Sequence, residues 1–161
     1  MASAIAATEN IWFVCVGTDR STGDALGPLV GSKLKALGYE NVVGTVEHPC
    51  HAVNLEECIA DIPADALVIG IDAALGQASS IGKILFENAP LMPGAGVNKA
   101  LPPIGTYRIV GIVNVGGFME YFVLQNTRLH VVFKMVDEIV DMIQRRFPLN
   151  ASEKCSAPLS V

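Results

Sequence analysis

This sequence of 161 residues contains no long apolar run, no pair of cysteines at C-x-x-C spacing and no cluster of positive charge. No apolar run reaches the roughly 18 residues that a membrane-spanning helix needs, and the run over 109–116 contains Asn114. The four cysteines form no C-x-x-C pair, and the first residues have neither the basic start nor the long apolar stretch of a secretory signal. We therefore expect no membrane association, reduced thiols and a cytoplasmic location.

Positive charge is scarce, which limits the partners of the chain. There are 11 Lys and Arg against 16 Asp and Glu, giving a net charge of −5 and a pI near 5.1. Without a basic patch that displaces counterions, we expect no nucleic-acid partner. The glycine-rich stretch 17–27 has neither a G-K-[ST] ending nor a G-x-G-x-x-G pattern, and Asp19 and Asp24 within it would repel phosphate. We expect no nucleotide or other cofactor, whereas an acidic protein can take a basic substrate.

Apolar residues are abundant, at 51% of the chain against 17% charged residues, with a mean hydropathy of +0.44. A chain of this length is expected to form one domain over 1–161. Its core is predicted over about 11–147, with a loose arm at 1–9 and a tail at 148–161. The apolar excess predicts a sheet covered on both faces and a surface for self-association into a homo-oligomer.

Five apolar segments typical of strands alternate with segments of helical periodicity. The predicted strands are 11–16, 42–46, 66–71, 83–87 and 107–115, and the predicted helices are 28–37, 54–62, 119–126 and 129–147. Asn54 and Glu57 resemble a capping box at the second helix. Leu129 and Phe133 are predicted on the buried face of the last helix. The order β-α-β-α-β-β-β-α predicts an α/β sandwich of three layers with a mixed, mostly parallel sheet.

Two aspartates lie just past the carboxyl ends of predicted buried strands. Asp24 is in the loop after the first strand, and Asp72 directly follows the strand 66–71. Ligands bind at this edge of open α/β sheets. A carboxylate there is unfavourable unless a partner, a proton or a metal offsets its desolvation. Asp72 is therefore expected to be functional, with a hydrogen bond to a neighbouring loop as the structural alternative. For Asp24 the alternative is to cap the helix or fix the loop.

The two carboxylates share a site if the first and third strands are neighbours. Like charges a few ångströms apart cannot both ionise easily, so one proton is held between them. One group can then activate water as a base, while the other protonates the leaving amine as an acid. This machinery is sufficient to hydrolyse an amide without a cofactor.

Weaker signals surround these aspartates. His48, Cys50 and His51 follow the second strand at the same edge, and imidazole and thiolate suit zinc or nickel. A metal site needs about three or four convergent ligands, which this spacing does not supply, so we expect no metal and predict that His51 lines the cleft. The Pro/Gly-rich stretch 90–105 is longer than an ordinary connection and is predicted to be functional or mobile. Lys99 within it is either a solvated lysine or a group that stabilises an oxyanion.

The stretches around the aspartates resemble motifs of the spore germination protease superfamily. Thr22–Pro28 and Val68–Ala73 each resemble a motif that bears one catalytic aspartate, and the glycine-rich Pro93–Asn98 resembles a third motif. The similarity covers about 11–147 and is to the small branch formed by the sporulation protein YyaC family. It implies a phosphorylase/hydrolase-like fold and no metal.

The same resemblance implies an unusual aspartic endopeptidase, with the catalytic residues at Asp24 and Asp72. It also implies a role in sporulation or germination in the developing spore compartment, and a protein or peptide substrate such as the small DNA-coating spore proteins. We predict that the substrate contacts Asp19, Thr22, His51 and Asn98. The chain is much shorter than the germination protease, so substrate choice does not carry over. A non-catalytic sporulation or binding protein that retains the fold is the alternative.

The same fold holds the hydrogenase-maturation endopeptidases, which supply a metal-linked interpretation. Their first motif similarly carries an acidic residue after a glycine-rich loop, and they recognise nickel through two acidic residues and a histidine. This sequence has no histidine between His51 and His130, which weakens that interpretation. Nickel or zinc held by Asp24, His51 and Asp72 would support it.

Overall fold

The computed structural model describes residues 10–93 and 101–149, which include a five-stranded sheet. The strands are β1 (Ile11–Cys15), β2 (Val42–Val43), β3 (Leu67–Gly76), β4 (Ile84–Glu87) and β5 (Tyr107–Val115). Their order is β2-β1-β3-β5-β4, and among these strands β4 and β5 alone pair antiparallel. The predicted mixed, mostly parallel sheet is confirmed, and the first and third strands are neighbours, which was the condition for a shared site.

Helices lie against this sheet or at its carboxyl edge: α1 (Leu26–Ala36), α2 (Leu55–Ile59), α3 (Glu120–Gln125) and α4 (Leu129–Arg146). One side of the sheet, which we call the packed face, is covered by α1 and α4 lying side by side. Fully buried side chains of the strands and helices meet there: Phe13, Ile69, Ile71, Ile109, Leu26, Val30, Ile139 and Ile143. None of the described helices has the length and apolar character needed to cross a bilayer.

The other side of the sheet, which we call the open face, has a thinner cover. Leu55 of the short α2, together with Leu91 and Ile104, packs there against Val14 of β1. Val110 of β5 packs against the same cluster and is only partly buried. The open face therefore contributes less hydrophobic stabilisation than the packed face, because that stabilisation scales with the apolar area removed from water.

The alternation of side chains along β3 decides which face receives each residue. Ile69 and Ile71 enter the core of the packed face. Gly70 lies beneath Leu91 on the open face, and a Cβ there would be 2.6 Å from the Leu91 Cβ. By the same alternation Asp72 faces the open side, away from the largest part of the core.

Several local features differ from the sequence predictions. β2 has two residues rather than the predicted 42–46, because Gly44 at φ 93° turns the chain away from β1. β3 continues to Gly76, because β5 pairs with it beyond the end of β1. The prediction that Leu129 and Phe133 are buried is wrong, since they are 50% and 51% exposed. The buried stripe of α4 runs instead through Val132, Met135, Val136, Ile139, Val140 and Ile143.

Candidate active site

The sheet opens between β1 and β3 at the level of Asp72. The two strands pair in parallel as far as Ile71, whose carbonyl accepts the Val16 N–H at 2.7 Å. The next bond of such a ladder would join the Ala73 N–H to the Val16 carbonyl. The Ala73 N–H instead donates to Asp72 Oδ1 at 2.8 Å. The Asp72 carboxylate thus takes the place of a ladder partner at the point where the strands separate.

Asp72 lies inside β3 rather than after it, which corrects the predicted strand end at Ile71. Its position at the carboxyl edge holds relative to β1, which ends at Cys15. β3 and β5 continue past this level and form a wall beside the gap. The residue is therefore held by regular strand backbone, a more rigid support than the loop that the sequence predicted.

Asp24 is held by a tight turn between β1 and α1. Gly17 has a φ of 147°, and a Cβ on it would lie 2.0 Å from the Asp24 carbonyl oxygen. The same carbonyl accepts the Thr18 N–H at 3.1 Å. A Cβ on Gly27 would lie 2.1 Å from the Val16 carbonyl oxygen, so α1 begins directly against the end of β1. Glycine at 17 and 27 therefore lets the turn close and fixes Asp24 beside the gap.

The geometry does not support the helix-capping alternative for Asp24. The N-cap of α1 is Ala25, and Thr22 precedes the 3-10 turn Gly23–Ala25; neither makes a side-chain capping bond. No hydrogen bond to the Asp24 carboxylate is found within the described parts of the chain. This carboxylate is partly buried without a structural partner of the capping kind.

The structure brings Asp24 and Asp72 near enough for their charges to interact. Burial raises the pKa of Asp24 above its ordinary value. The pKa of Asp72 lies well above its ordinary value, chiefly through burial and next through the negative charge of Asp24. The bond from the Ala73 N–H opposes this rise, because it favours the ionised form. The pair therefore holds a proton more tightly than either carboxyl group does in water.

Cys50 adds a third side chain beside Asp72. It is fully buried, forms a parallel bridge with Val16, and its carbonyl accepts the Gly17 N–H at 2.8 Å. Burial, the neighbouring Cys58 and the charge of Asp72 all raise the pKa of the Cys50 thiol. A neutral thiol is a small, weakly polar group, so Cys50 contributes apolar surroundings that favour the protonated form of Asp72.

The histidines near this edge differ in their surroundings. His48 is exposed, whereas His51 is partly buried and its Nδ1 accepts the Val53 N–H at 3.3 Å. The predicted capping box is not formed: Asn54 Oδ1 accepts the His51 N–H at 2.8 Å, and Asn54 Nδ2 donates to the Pro49 carbonyl. Asn54 fixes the loop instead, because the short α2 follows a turn whose backbone groups need partners.

The other predicted substrate contacts are placed unevenly. Asp19 is exposed on the turn, and Thr22 is partly buried with its carbonyl accepting the Ala25 N–H. Asn98 and Lys99 lie outside the described residues. Within 10–93 and 101–149, no group of three or more His, Cys, Asp or Glu side chains is placed to hold a metal ion.

Two features of this edge escaped the sequence analysis. The Ser21 hydroxyl, in the same turn as Asp24, is buried and has no hydrogen-bond partner among the described residues. Four side chains at α3 are strongly exposed: Phe118 (79%), Met119 (59%), Tyr121 (73%) and Phe122 (57%). The isolated serine gives no pattern in a sequence, and the apolar side chains at 118–122 suggest a buried segment instead.

α3 is tied directly to the Asp24 turn. A Cβ on Gly23 would lie 2.8 Å from Leu124 Cδ2 and 2.9 Å from Thr127 Oγ1, so the two segments are in close contact. Asn114, at the end of β5, donates to the Val123 carbonyl and to Thr127 Oγ1, both at 3.3 Å. The partly buried Asn114 thus joins β5 to the segment that supports the candidate site.

Comparison with known proteins places these features in a family. A family model described as "Protein of unknown function (DUF1256)" matches residues 1–142. The uncharacterized protein YyaC of Bacillus subtilis (strain 168) is 52% identical over 141 residues, which are 84% of this chain and 69% of that protein.

Two solved structures of similar fold come from Thermococcus kodakarensis. The NiFe hydrogenase maturation protease HycI from Thermococcus kodakarensis KOD1 superposes with a TM-score of 0.56 at 19% identity, covering 84% of this chain and 90% of that one. The NiFe hydrogenase maturation protease HybD from Thermococcus kodakarensis gives a TM-score of 0.55 at 12% identity, covering 86% and 99%. The predicted hydrogenase-maturation-protease-like α/β fold is confirmed.

Proposed function

The chain belongs to the family described as Protein of unknown function (DUF1256), and we propose that it is an endopeptidase whose Asp24 and Asp72 carboxyl groups share one proton. The observation that carries this proposal is the opening of the β1–β3 ladder at Asp72, with Asp24 raising the pKa of Asp72 across the gap. A fold shared with two maturation proteases supports a hydrolytic role. The resemblance of Thr22–Pro28 and Val68–Ala73 to the germination protease motifs supports the choice of residues.

In the proposed mechanism Asp72 is the acid and Asp24 is the base. Asp72 keeps the proton, because burial and the Asp24 charge both raise its pKa. Ionised Asp24 takes a proton from water as the water oxygen attacks the carbonyl carbon of the substrate. Asp72 gives its proton to the nitrogen as the C–N bond breaks. Return of the proton from Asp24 to Asp72 then restores the starting state, so hydrolysis consumes one water molecule and nothing else.

We further propose a basic protein segment as the substrate. The net charge of −5, together with Asp19 and the ionised Asp24 at one edge, attracts positive charge. The resemblance to the germination protease supports small DNA-coating spore proteins and a role in sporulation or germination. The spore compartment is part of the same proposal.

Incubation of the purified protein with a small basic spore protein tests the proposal, with new peptide termini identified by mass spectrometry. We expect the wild type to cleave, and Asp24→Asn or Asp72→Asn to lower the rate by about a hundredfold or more. Asp65→Asn, an exposed aspartate before β3 at the opposite edge, is the matched control and should keep the rate. Cleavage that survives either active-site substitution would rule out the shared proton, and absence of cleavage by the wild type would favour a binding protein.

A metal-linked maturation endopeptidase is the second candidate, favoured by the fold shared with HycI and HybD. Asp24, Asp72 and His51 would supply the ligands, although the described residues do not assemble three such groups. Metal analysis of the purified protein decides between the candidates. Stoichiometric nickel or zinc that is lost in His51→Ala and Asp72→Asn would favour the metal-linked enzyme.

A further inference from the structure

Beyond Ile71, one edge of β3 has lost its neighbour. Successive residues of a strand direct their main-chain groups to opposite sides. The Ile71 carbonyl accepts from Val16, which follows β1, whereas the Gly76 carbonyl accepts from Gly116, which follows β5. Odd-numbered residues of β3 therefore face β1, and even-numbered residues face β5. Ala73 and Leu75 are the odd-numbered residues that lie past the end of β1.

The main-chain groups of these two residues are largely unpaired. In a continued ladder the Ala73 carbonyl would accept the Thr18 N–H, but that N–H donates to the Asp24 carbonyl at 3.1 Å. The Ala73 N–H bonds only to Asp72 Oδ1. Because neither residue faces β5, their groups on this side lie outside that ladder, and no other main-chain bond to the Ala73 carbonyl or to the N–H and carbonyl of Leu75 is found within the described part of the chain. Both residues are partly exposed, so this edge is in reach of a ligand.

We propose that this edge binds the substrate of the proposed endopeptidase as an added β-strand, paired through the Ala73 carbonyl and the Leu75 main chain. The inference rests on the proposed function and deepens it, since it defines the substrate class. A bound segment must be extended over several residues, which excludes helical segments and favours chains that are unfolded or frayed. Main-chain pairing of this kind gives affinity with little demand on side-chain identity.

The position of the edge agrees with the chemistry. An added strand would lie about 4.8 Å from β3, in line with β1 and beyond the carboxyl end of β1. Its main chain would then pass beside Asp72, whose carboxylate caps the first N–H of the same edge. The 3-10 turn Gly23–Ala25, which carries Asp24, is in contact with β3. A scissile peptide bond aligned by this pairing is thereby presented to both carboxyl groups.

A substitution pair on the protein tests the pairing. Leu75→Pro removes the N–H that faces the free edge, a position where proline is tolerated because no ladder bond is lost. Leu75→Ala removes most of the same side chain and keeps the N–H. The probe is a set of fluorescein-labelled peptides of about ten residues, tiled through the same small basic spore protein, and binding is followed by polarisation in an Asp72→Asn background. We expect Leu75→Pro to weaken binding about fivefold or more relative to Leu75→Ala.

A second measurement keeps the protein unchanged apart from Asp72→Asn. N-methyl groups are placed at each position in turn along the best-binding peptide. Binding should fall at every second position, because alternate N–H groups of an added strand face β3. This pattern remains measurable even where Leu75→Pro fails to fold.

The results separate this inference from the proposed function. Absence of binding by every peptide, equal binding by the two Leu75 variants, or N-methyl effects without a period of two would overturn the added strand. A peptide that binds with the period-two pattern but stays uncut by the wild type would sustain the added strand and count against the peptidase. A peptide that the wild type cuts, but whose binding lacks the period-two pattern, would support the peptidase and count against the added strand.

Discussion

On the packed face, β1, β3 and β5 lie beneath two helices of 11 and 18 residues, whereas on the open face they meet a five-residue helix and a short bridge between Leu91 and Ile104. The packed face holds the fully buried Ile69 and Ile71 of β3, and the open face receives Asp72 from the same strand. Two adjacent residues of β3, on opposite faces of the sheet, therefore differ sharply: the side chain of Ile71 stabilises the fold, whereas that of Asp72 is costly to bury.

This comparison shows why the two faces are covered so differently. A carboxyl group with a raised pKa destabilises the ionised folded state, so the rest of the molecule must offset that cost. The continuous apolar core between α1, α4 and the sheet is the source of this stabilisation. The open face can therefore remain thin and accessible around Asp72 without loss of the fold.

The largest expected effect is on the pH dependence of stability. The pKa of Asp72 is raised in the folded state, so the folded protein binds more protons than the unfolded chain between the two values. The stabilisation that protonated Asp72 gives to the folded state is fully present below about pH 4. It is lost as the pH rises through the folded-state pKa, by about 1.4 kcal/mol for each unit by which the folded pKa exceeds the unfolded one. Asp72→Asn should remove this loss, so the variant gains stability relative to the wild type as the pH increases.

Urea unfolding at several pH values measures this difference. Asn114→Ala is the matched control: it removes hydrogen bonds at the same edge but no titrating group, so it should lower stability by about 1 kcal/mol at every pH. If the free energy of unfolding varied with pH in the same way for the wild type and Asp72→Asn, the raised pKa of Asp72 would be contradicted and the contrast between the two faces weakened.

A matched pair of valines gives the next largest effect. Val136 is buried on the packed face, and Val110 is partly buried on the open face. Val136→Ala should lower the free energy of unfolding by about 2 kcal/mol, since it deletes buried methyl groups and leaves a cavity. Val110→Ala should cost about half as much. Denaturant titration measures both, and equal losses would show that the open face is as well packed as the other.

The smallest expected effect on stability is at Ser21. Its buried hydroxyl has no partner among the described residues, so Ser21→Ala should leave the free energy of unfolding within about 0.5 kcal/mol of the wild type or raise it. The cleavage rate is the informative measurement. If the Ser21 hydroxyl, in the same turn as Asp24, serves substrate binding, its removal should lower the cleavage rate. A loss of stability above this range would show that Ser21 serves the fold instead.

The sequence predicted those parts of the molecule that depend on local pattern. The sequence pattern predicted β5 with its observed bounds, Tyr107–Val115, because six of its nine residues are Tyr, Ile or Val, which favour strands. The asparagine at position 54 shows the limit of such patterns. Its spacing to Glu57 suggested a cap, yet its side chain bonds to the loop at Pro49 and His51, which only the tertiary fold brings into reach.

For the candidate site, the sequence by itself determined which acids follow the first and third apolar segments, because hydrophobic runs and glycine-rich turns are written along the chain. The tertiary structure alone decided that β1 ends where β3 continues, that Asp72 caps the Ala73 N–H at this point, and that Ala73 and Leu75 are left with an open edge. Strand ends depend on pairing with a neighbour, and pairing joins residues distant in sequence, so no local pattern records where a ladder opens.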